Sequence, residues 1–349
     1  MELNKEIFIV SRKWASRGEL TSVERFCSLL DATFKSYHGV MSDFSQRLSV
    51  FLKQRSNSLL TDKGTAYNSN SVKLEMYGII HSCRRKAKIV FFPYADFDYY
   101  YFGFLKRLLN KKIILWTYFS VDELTKRFRN LAHFERADLI LVAGKEQLSY
   151  LASKLTKPRL VYFPLGVDTS FFKPAISFTK YQIVFSGANR RDFDTAIQAF
   201  DSVIQEYPML QVYFVGCSSV REKIPPRNYI HRMDYLDDSQ LRNRYQNAHL
   251  QVLTLLDGGS SNSLLEGYAC GVPVICTNLP NIHDYLIEDE ELKVTPFDFI
   301  ELSIKIKAIL ANDILRNRLA TKCRERAEEY DWLKLRDSFM VEASRLFDK

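Results

Sequence analysis

No two of the six cysteines, at positions 27, 83, 217, 270, 276 and 323, stand at CxxC spacing. Neither they nor the six histidines, at 38, 81, 133, 231, 249 and 283, fall at zinc-ligand distances. A disulfide framework is therefore not expected, and a reducing cytoplasm is. Long apolar runs are also missing. The best membrane candidate, residues 89–105, carries Asp96 and Asp98 and is too short and too polar to span, while residues 7–10 fall far short of a signal-peptide core. No GxSxG elbow and no P-loop occur, so hydrolase and NTPase readings have no support. There is no nucleic-acid-binding motif, and a nucleic-acid partner is not expected. Internal repeats are absent too.

What is present is ample chain for two cores: 349 residues, at roughly 150 per domain. Hydrophobic residues make up 46% and charged ones 26%, which excludes disordered and fibrous classes. The net charge of +8 is unevenly spread. Residues 1–170 hold 27 Lys and Arg against 16 Asp and Glu, or +11; the rest hold 22 against 25, or −3. A basic half suits an anionic membrane surface or a phosphorylated substrate. Short β-branched and aromatic runs alternate with amphipathic stretches. Strands are predicted at 7–10, 88–92, 112–116, 138–142 and 160–163, with helices at 121–136 and 145–154. Between residues 34 and 86 two helical patterns flank a polar linker, 61–71, that reads as a mobile loop. A second series begins after Pro174, with strands at 182–185, 211–215, 229–231, 250–255 and 273–276 and helices at 192–206, 238–246 and 263–270. A long helical region, 297–349, breaks near Tyr330-Asp331-Trp332. Such alternation predicts an α/β chain of two doubly wound domains, with ligands at the carboxyl ends of the strands in a cleft between them.

Asp257-Gly258-Gly259-Ser260-Ser261-Asn262-Ser263-Leu264-Leu265-Glu266 follows an apolar strand and opens a helix. Glycine and small polar residues let backbone pass close to a ligand. The helix start behind them presents unpaired N–H groups and about half a positive charge. The combination suits a diphosphate. Gly271 and Pro273 then stop the helix. Glu266 has two readings. Ser263-x-x-Glu266 matches a capping box, and a carboxylate placed here can also accept from ligand hydroxyls.

Residues 263–277, Ser-Leu-Leu-Glu-Gly-Tyr-Ala-Cys-Gly-Val-Pro-Val-Ile-Cys-Thr, resemble the donor-nucleotide signature of family 4 glycosyltransferases with the GT-B fold. Ala137-Asp138-Leu139-Ile140-Leu141-Val142 resembles that family's last N-domain strand before its helix. Leu165-Gly166-Val167-Asp168-Thr169-Ser170-Phe171-Phe172 resembles its interdomain segment. Gly187-Ala188-Asn189-Arg190-Arg191-Asp192 stands where the family carries a donor-phosphate loop, and Tyr330-Asp331-Trp332 resembles the break before its final helix. The likeness runs from about Lys88 onward. It implies two Rossmann-like domains facing across a cleft: residues 1–170 binding acceptor, 171–330 binding donor, and 331–349 a helix crossing back. Glu266 would then hold the ribose hydroxyls. Ser263, Leu264 and neighbouring amides would hold the diphosphate, with Gly187, Arg190, Arg191, Gly259, Ser260, Ser261 and Asn262 completing the donor set.

The chain departs from the family pattern at several points. A glutamate expected eight positions before Glu266 is Gly258, which leaves Asp257 or the side chains of 260–262 to stand beside the sugar. The phosphate loop has adjacent arginines and no following lysine. One arginine is expected to serve the leaving diphosphate, with Arg190 favoured, and Asp192 is expected to cap the next helix. Arg190 and Asp257 are thus the catalytic candidates. Where relatives carry a histidine, the chain reads Trp116-Thr117-Tyr118-Phe119-Ser120, so no histidine base is assigned; Asp122 and Glu123 read as helix-start charges. Gly18 is the candidate glycine of an acceptor or phosphate loop. Asp96-Phe97-Asp98 imitates a metal-binding DxD, with helix capping the preferred reading, and no metal or other cofactor is expected. Basic clusters at 84–88 and 106–112 bracket the aromatic stretch 91–104, a pattern suited to an anionic membrane surface on the cytoplasmic side.

These features predict a retaining glycosyltransferase of hexosyl type. It would move sugar from a nucleotide-sugar donor to a hydroxyl of a saccharide or lipid-linked acceptor. A nucleotide-sugar epimerase of the same fold and a non-catalytic binding protein are the alternatives.

Overall fold

The computed structural model describes residues 6–12, 22–30, 32–36, 43–57, 67–83, 86–216, 218–257 and 261–348. Two units are evident. The first comprises Met1–Ala15, Phe26–Pro164 and Leu335–Lys349; the second, Ser16–Arg25 and Leu165–Lys334.

In the first unit β1 (Ile7–Ser11), β2 (Thr33–Ser36), β3 (Ile89–Phe92), β4 (Lys112–Thr117), β5 (Leu139–Val142) and β6 (Arg159–Tyr162) form a parallel sheet ordered β2-β1-β3-β4-β5-β6. Helices in this half of the chain are α1 (Ser22–Leu29), α2 (Asp43–Asn57), α3 (Ser69–Cys83), α4 (Ala95–Asp98), α5 (Phe102–Leu109), α6 (Val121–Arg127) and α7 (Lys145–Ala152). β3 and β5 are apolar at every position because helices cover both faces of a parallel sheet. Phe339 packs edge-on or tilted against Phe26, Phe91 and Phe163 at ring distances of 5.5, 5.0 and 6.2 Å, which fastens the chain's last turns to this unit.

The second unit repeats the plan. β7 (Gln182–Ser186), β8 (Gln211–Val215), β9 (Ile230–Met233), β10 (Leu250–Leu253), β11 (Val274–Thr277) and β12 (Lys293–Val294) are parallel in the order β12-β11-β10-β7-β8-β9. Its helices are α8 (Phe193–Val203), α9 (Asp238–Gln246), α10 (Asn262–Ala269), α11 (Phe299–Ala311) and α12 (Asp313–Glu329); α13 (Trp332–Ser344) closes the chain. The segment 165–172 meets the break at 330–332. The Val167 N–H donates to Tyr330 O (3.0 Å), and the Trp332 N–H to Val167 O (3.1 Å).

Several expectations need correction. The helix over 121–136 ends at Arg127, because an extended Phe128 lets Phe128, Leu131 and Phe134 turn into the core. Edge strands β2 and β12, four and two residues long, are too short for their pattern to register. Most of the linker at 61–71 lies outside the described residues, but α3 already begins at Ser69, with Asn68 Oδ1 accepting from the amides of Asn70 and Ser71. Asp96 and Asp98 do not cap a helix. Both sit inside the single turn of α4, whose N-cap is Tyr94. Asp96 accepts from the Thr117 hydroxyl and the Phe119 amide (3.1 Å), while Asp98 pairs with Arg12, so the two carboxylates serve different partners. Burial pushes Asp96 up to about 6. Among the described residues no group of three His, Cys, Asp or Glu side chains could hold a metal.

Candidate active site

In a doubly wound sheet the connections leave in opposite directions on either side of one strand pair, and a crevice opens there beyond the strands' carboxyl ends. For the second unit that pair is β7 and β10. The turn 187–192 leaves β7 and the segment 254–262 leaves β10, so the crevice is built from the two stretches singled out in the sequence.

The first turn is held tightly. Gly187 has φ +88°, a backbone conformation that favours glycine, and a Cβ there would also meet the Arg191 guanidinium, 2.8 Å from Nη2. Arg191 donates from Nε to Ser186 O (3.0 Å) and from Nη1 to Asn189 O (3.2 Å), and thereby ties up its own loop. Arg190 takes the left-handed φ of +55°. Asp192 caps α8, accepting from the Thr195 amide (3.1 Å) and hydroxyl (2.6 Å), as the sequence predicts. The two expected catalytic residues meet each other. Arg190 Nη1 pairs with Asp257 Oδ2, and Asn281 Nδ2 donates to Asp257 Oδ1 at 2.6 Å.

At the second segment Ser261, not Ser263, is the N-cap of α10; its hydroxyl accepts from the Leu264 amide at 3.4 Å. Glu266 is therefore two residues past the N3 position, and the capping box is excluded. Ser261 engages the Leu264 amide and Leu264 is fully buried, so neither its amide nor its side chain offers a donor contact. The amides of Asn262 and Ser263 remain as first-turn donors. Gly18, Gly258, Gly259 and Ser260 lie outside the described residues.

Glu266 is 6% exposed, and Tyr245 links it to Ser186 at the end of β7. The Tyr245 hydroxyl donates to its Oε2 (3.1 Å) and lies 3.1 Å from Ser186 Oγ; Gln251 Nε2 donates to Ser186 Oγ and to Ser263 O, both at 3.0 Å. Burial, then the neighbouring Glu266 charge, pushes the Tyr245 hydroxyl well above its ordinary value, so it stays a donor to the carboxylate. Each hydrogen bond to a buried charge is worth about 1.5–3 kcal/mol. Tyr245, Gln251, Ser186 and Asn281 were not singled out from sequence. Gln251 gives the clearest missed signal, a long polar side chain at the centre of the apolar strand 250–253. Tyr245 sits in the polar helix α9 and carries no such mark.

Two Rossmann-like units, the second with a cation, helix amides and a buried carboxylate gathered at its switch point, define a protein of the GT-B fold. Residues 180–312 match the family described as Glycosyl transferases group 1. Over 220 residues the chain is 23% identical to the sulfoquinovosyl transferase SQD2 of Arabidopsis thaliana, covering 56% of this chain and 42% of that protein. It is 24% identical over 230 residues to the O-antigen chain mannosyltransferase B of Escherichia coli, covering 61% and 58%. The chain thus spans about half the length of these curated relatives. Among solved structures, Anabaena Alr3699/HepE in complex with UDP and glucose superposes with a TM-score of 0.69 at 9% identity, over 97% of this chain and 99% of that one.

Proposed function

We propose that this chain is a glycosyltransferase that moves a sugar from a nucleoside-diphosphate donor to an acceptor hydroxyl, with retention of configuration. The observation that carries the reading is the crevice between β7 and β10, where Arg190, the first amides of α10 and the buried Glu266 gather within the segment that matches group 1 glycosyl transferases. In this reading Glu266, oriented by Tyr245, accepts from the ribose hydroxyls. The Asn262 and Ser263 amides and one guanidinium take the diphosphate. As the bond from the sugar carbon to the phosphate oxygen breaks, negative charge grows on the diphosphate, and a fixed cation there lowers the barrier. The acceptor hydroxyl attacks on the face the diphosphate leaves, and the departing phosphate oxygen takes its proton. No step is routed through a metal or other cofactor.

A second reading has a specific motive: with Gly258 in place of a glutamate and Asp257 occupied by Arg190 and Asn281, the chain would bind sugar nucleotide without turnover. Incubation with UDP-, GDP- and ADP-sugars in EDTA, with NMR of the products, separates the readings. A glycosylated acceptor of retained anomeric configuration supports transfer; an isomerised free donor supports an epimerase; binding alone supports the second reading. Inversion at the anomeric carbon, or activity lost to EDTA, overturns the corresponding part. In the same assay Glu266→Gln is expected to weaken donor binding about tenfold, one charge-assisted contact, with the melting temperature little changed. Loss of stability without loss of affinity would make Glu266 structural.

For the acceptor side we propose the first unit, with an anionic membrane as a partner surface. Most rings of the stretch 91–104 do not supply that surface, because Phe91, Phe92, Tyr94, Tyr99, Tyr100 and Phe102 are core residues; Phe104 at its end is exposed. Exposed apolar side chains of this unit include Val50 and Phe51 on α2, Ile80 on α3, and Phe104 and Leu108 on α5, where Arg107 is exposed too.

A further inference from the structure

We propose that Asp257 is an internal anion that occupies Arg190 until donor arrives, and that Asn281 is the positioning residue that holds it there. The donor diphosphate then enters by taking the place of the Asp257 carboxylate on the guanidinium. The inference rests on the donor-binding reading of this crevice and divides the labour of Arg190 and Asp257 differently from a pair acting together on the sugar.

The backbone on both sides is clamped. The Leu256 amide donates to Arg190 O (3.0 Å), the Asp192 amide donates to Thr254 O (3.0 Å), and Arg191 and Leu255 form an antiparallel bridge. With Arg190 also held at φ +55°, the two arms do not part easily, and exchange falls to the side chains. Asp257 is gripped at both oxygens, by Arg190 at Oδ2 and by Asn281 at Oδ1. Asn281 comes from the turn Pro280–Tyr285 after β11, anchored by the fully buried Ile282 and Tyr285. The pair itself is open to solvent, with side-chain exposures of 36% for Arg190 and 22% for Asp257, so solvent screening leaves the bond weak enough to exchange.

A guanidinium binds carboxylate and phosphoryl oxygens through the same fork of N–H bonds. A diphosphate brings more charge than one carboxylate and wins the exchange; a neutral or weakly charged ligand does not. Asp257 therefore acts as a selectivity device for doubly phosphorylated ligands, and Arg190 is released to the donor only when such a ligand is bound.

Calorimetric titration of UDP, GDP and ADP into the full chain tests this with Asp257→Asn, Asn281→Ala, Arg190→Gln and the Arg190→Gln/Asp257→Asn double variant. D257N is expected to bind the preferred nucleotide roughly three- to tenfold tighter than the wild type. N281A should shift the same way by less. The double variant should bind no tighter than R190Q alone, since the gain runs through Arg190. An equal gain in the R190Q background would make Asp257 a general repulsive charge and overturn the exchange, as would unchanged or weakened binding by D257N. If no nucleotide binds any of these proteins while their thermal melts stay cooperative, the donor-binding reading itself falls.

Discussion

Glu75 on α3 shows how much one side chain can carry away from the candidate site. It is 1% exposed and accepts from the Tyr67 hydroxyl (2.5 Å) and from the amides of Tyr100 (2.7 Å), Tyr101 (2.9 Å) and Phe102 (2.7 Å). Burial raises its pKa to about 7 against the pull of those donors. Between its ordinary value near 4.5 and about 7 the folded state then keeps a proton that the unfolded chain has released. Glu75 thus makes stability fall as pH rises through that window, by on the order of 3 kcal/mol at most, and adds no further slope above it. A carboxyl ¹³C titration is expected to place its midpoint near 7; a value at or below 4.5 would mean that the donors outweigh burial. At this scale sequence reading is uneven. Glu266 stands in a recognisable string, whereas Glu75 and Asn281 acquire partners 25 to 27 and 24 residues away, which no spacing rule encodes.

At the scale of elements, α10 lies so close to β10 that a Cβ on Gly267 would stand 1.8 Å from Gln251 Oε1 and 3.1 Å from Val274 Cγ2. Gly267→Ala is expected to lower stability by about 2–3 kcal/mol through overpacking. Because the clash is with Gln251, adding Gln251→Ala should recover a large part of that loss. Denaturant unfolding of the single and double variants checks it, and strictly additive losses would show that the close approach is relieved elsewhere. Element identity is largely legible from the pattern: the strands near 7–10, 88–92, 211–215 and 250–255 and the helix 238–246 lie within a residue or two of prediction at most ends. Ends and interruptions are less so. α10 starts at Asn262 because the Ser261 hydroxyl reaches the Leu264 amide, and α6 stops early because three apolar side chains beyond it are needed in the core.

Over the whole molecule the uneven charge becomes a testable surface property. No helix among the described residues is long and apolar enough to cross a membrane. The first half of the chain nevertheless carries its +11 alongside exposed Phe51 and Leu108. Vesicles containing phosphatidylglycerol are expected to co-sediment the protein more than phosphatidylcholine vesicles do, with the difference shrinking as salt rises. Phe51→Glu and Leu108→Glu, on exposed positions, should weaken the binding severalfold without changing the fold. Equal partition onto neutral and anionic vesicles would remove the membrane from the list of partners.

By itself the sequence determined that two doubly wound units would form, and that an anion would suit the start of the helix after β10. Hydrophobic period and helix-start composition are local properties, written within a few residues of one another. Only the tertiary structure decided what Glu266, Arg190 and Asp257 touch. Tyr245, which donates to Glu266, and Asn281, which donates to Asp257, come from other elements, and a buried carboxylate or a part-exposed ion pair takes its chemistry from whichever groups the fold brings within about 3 Å.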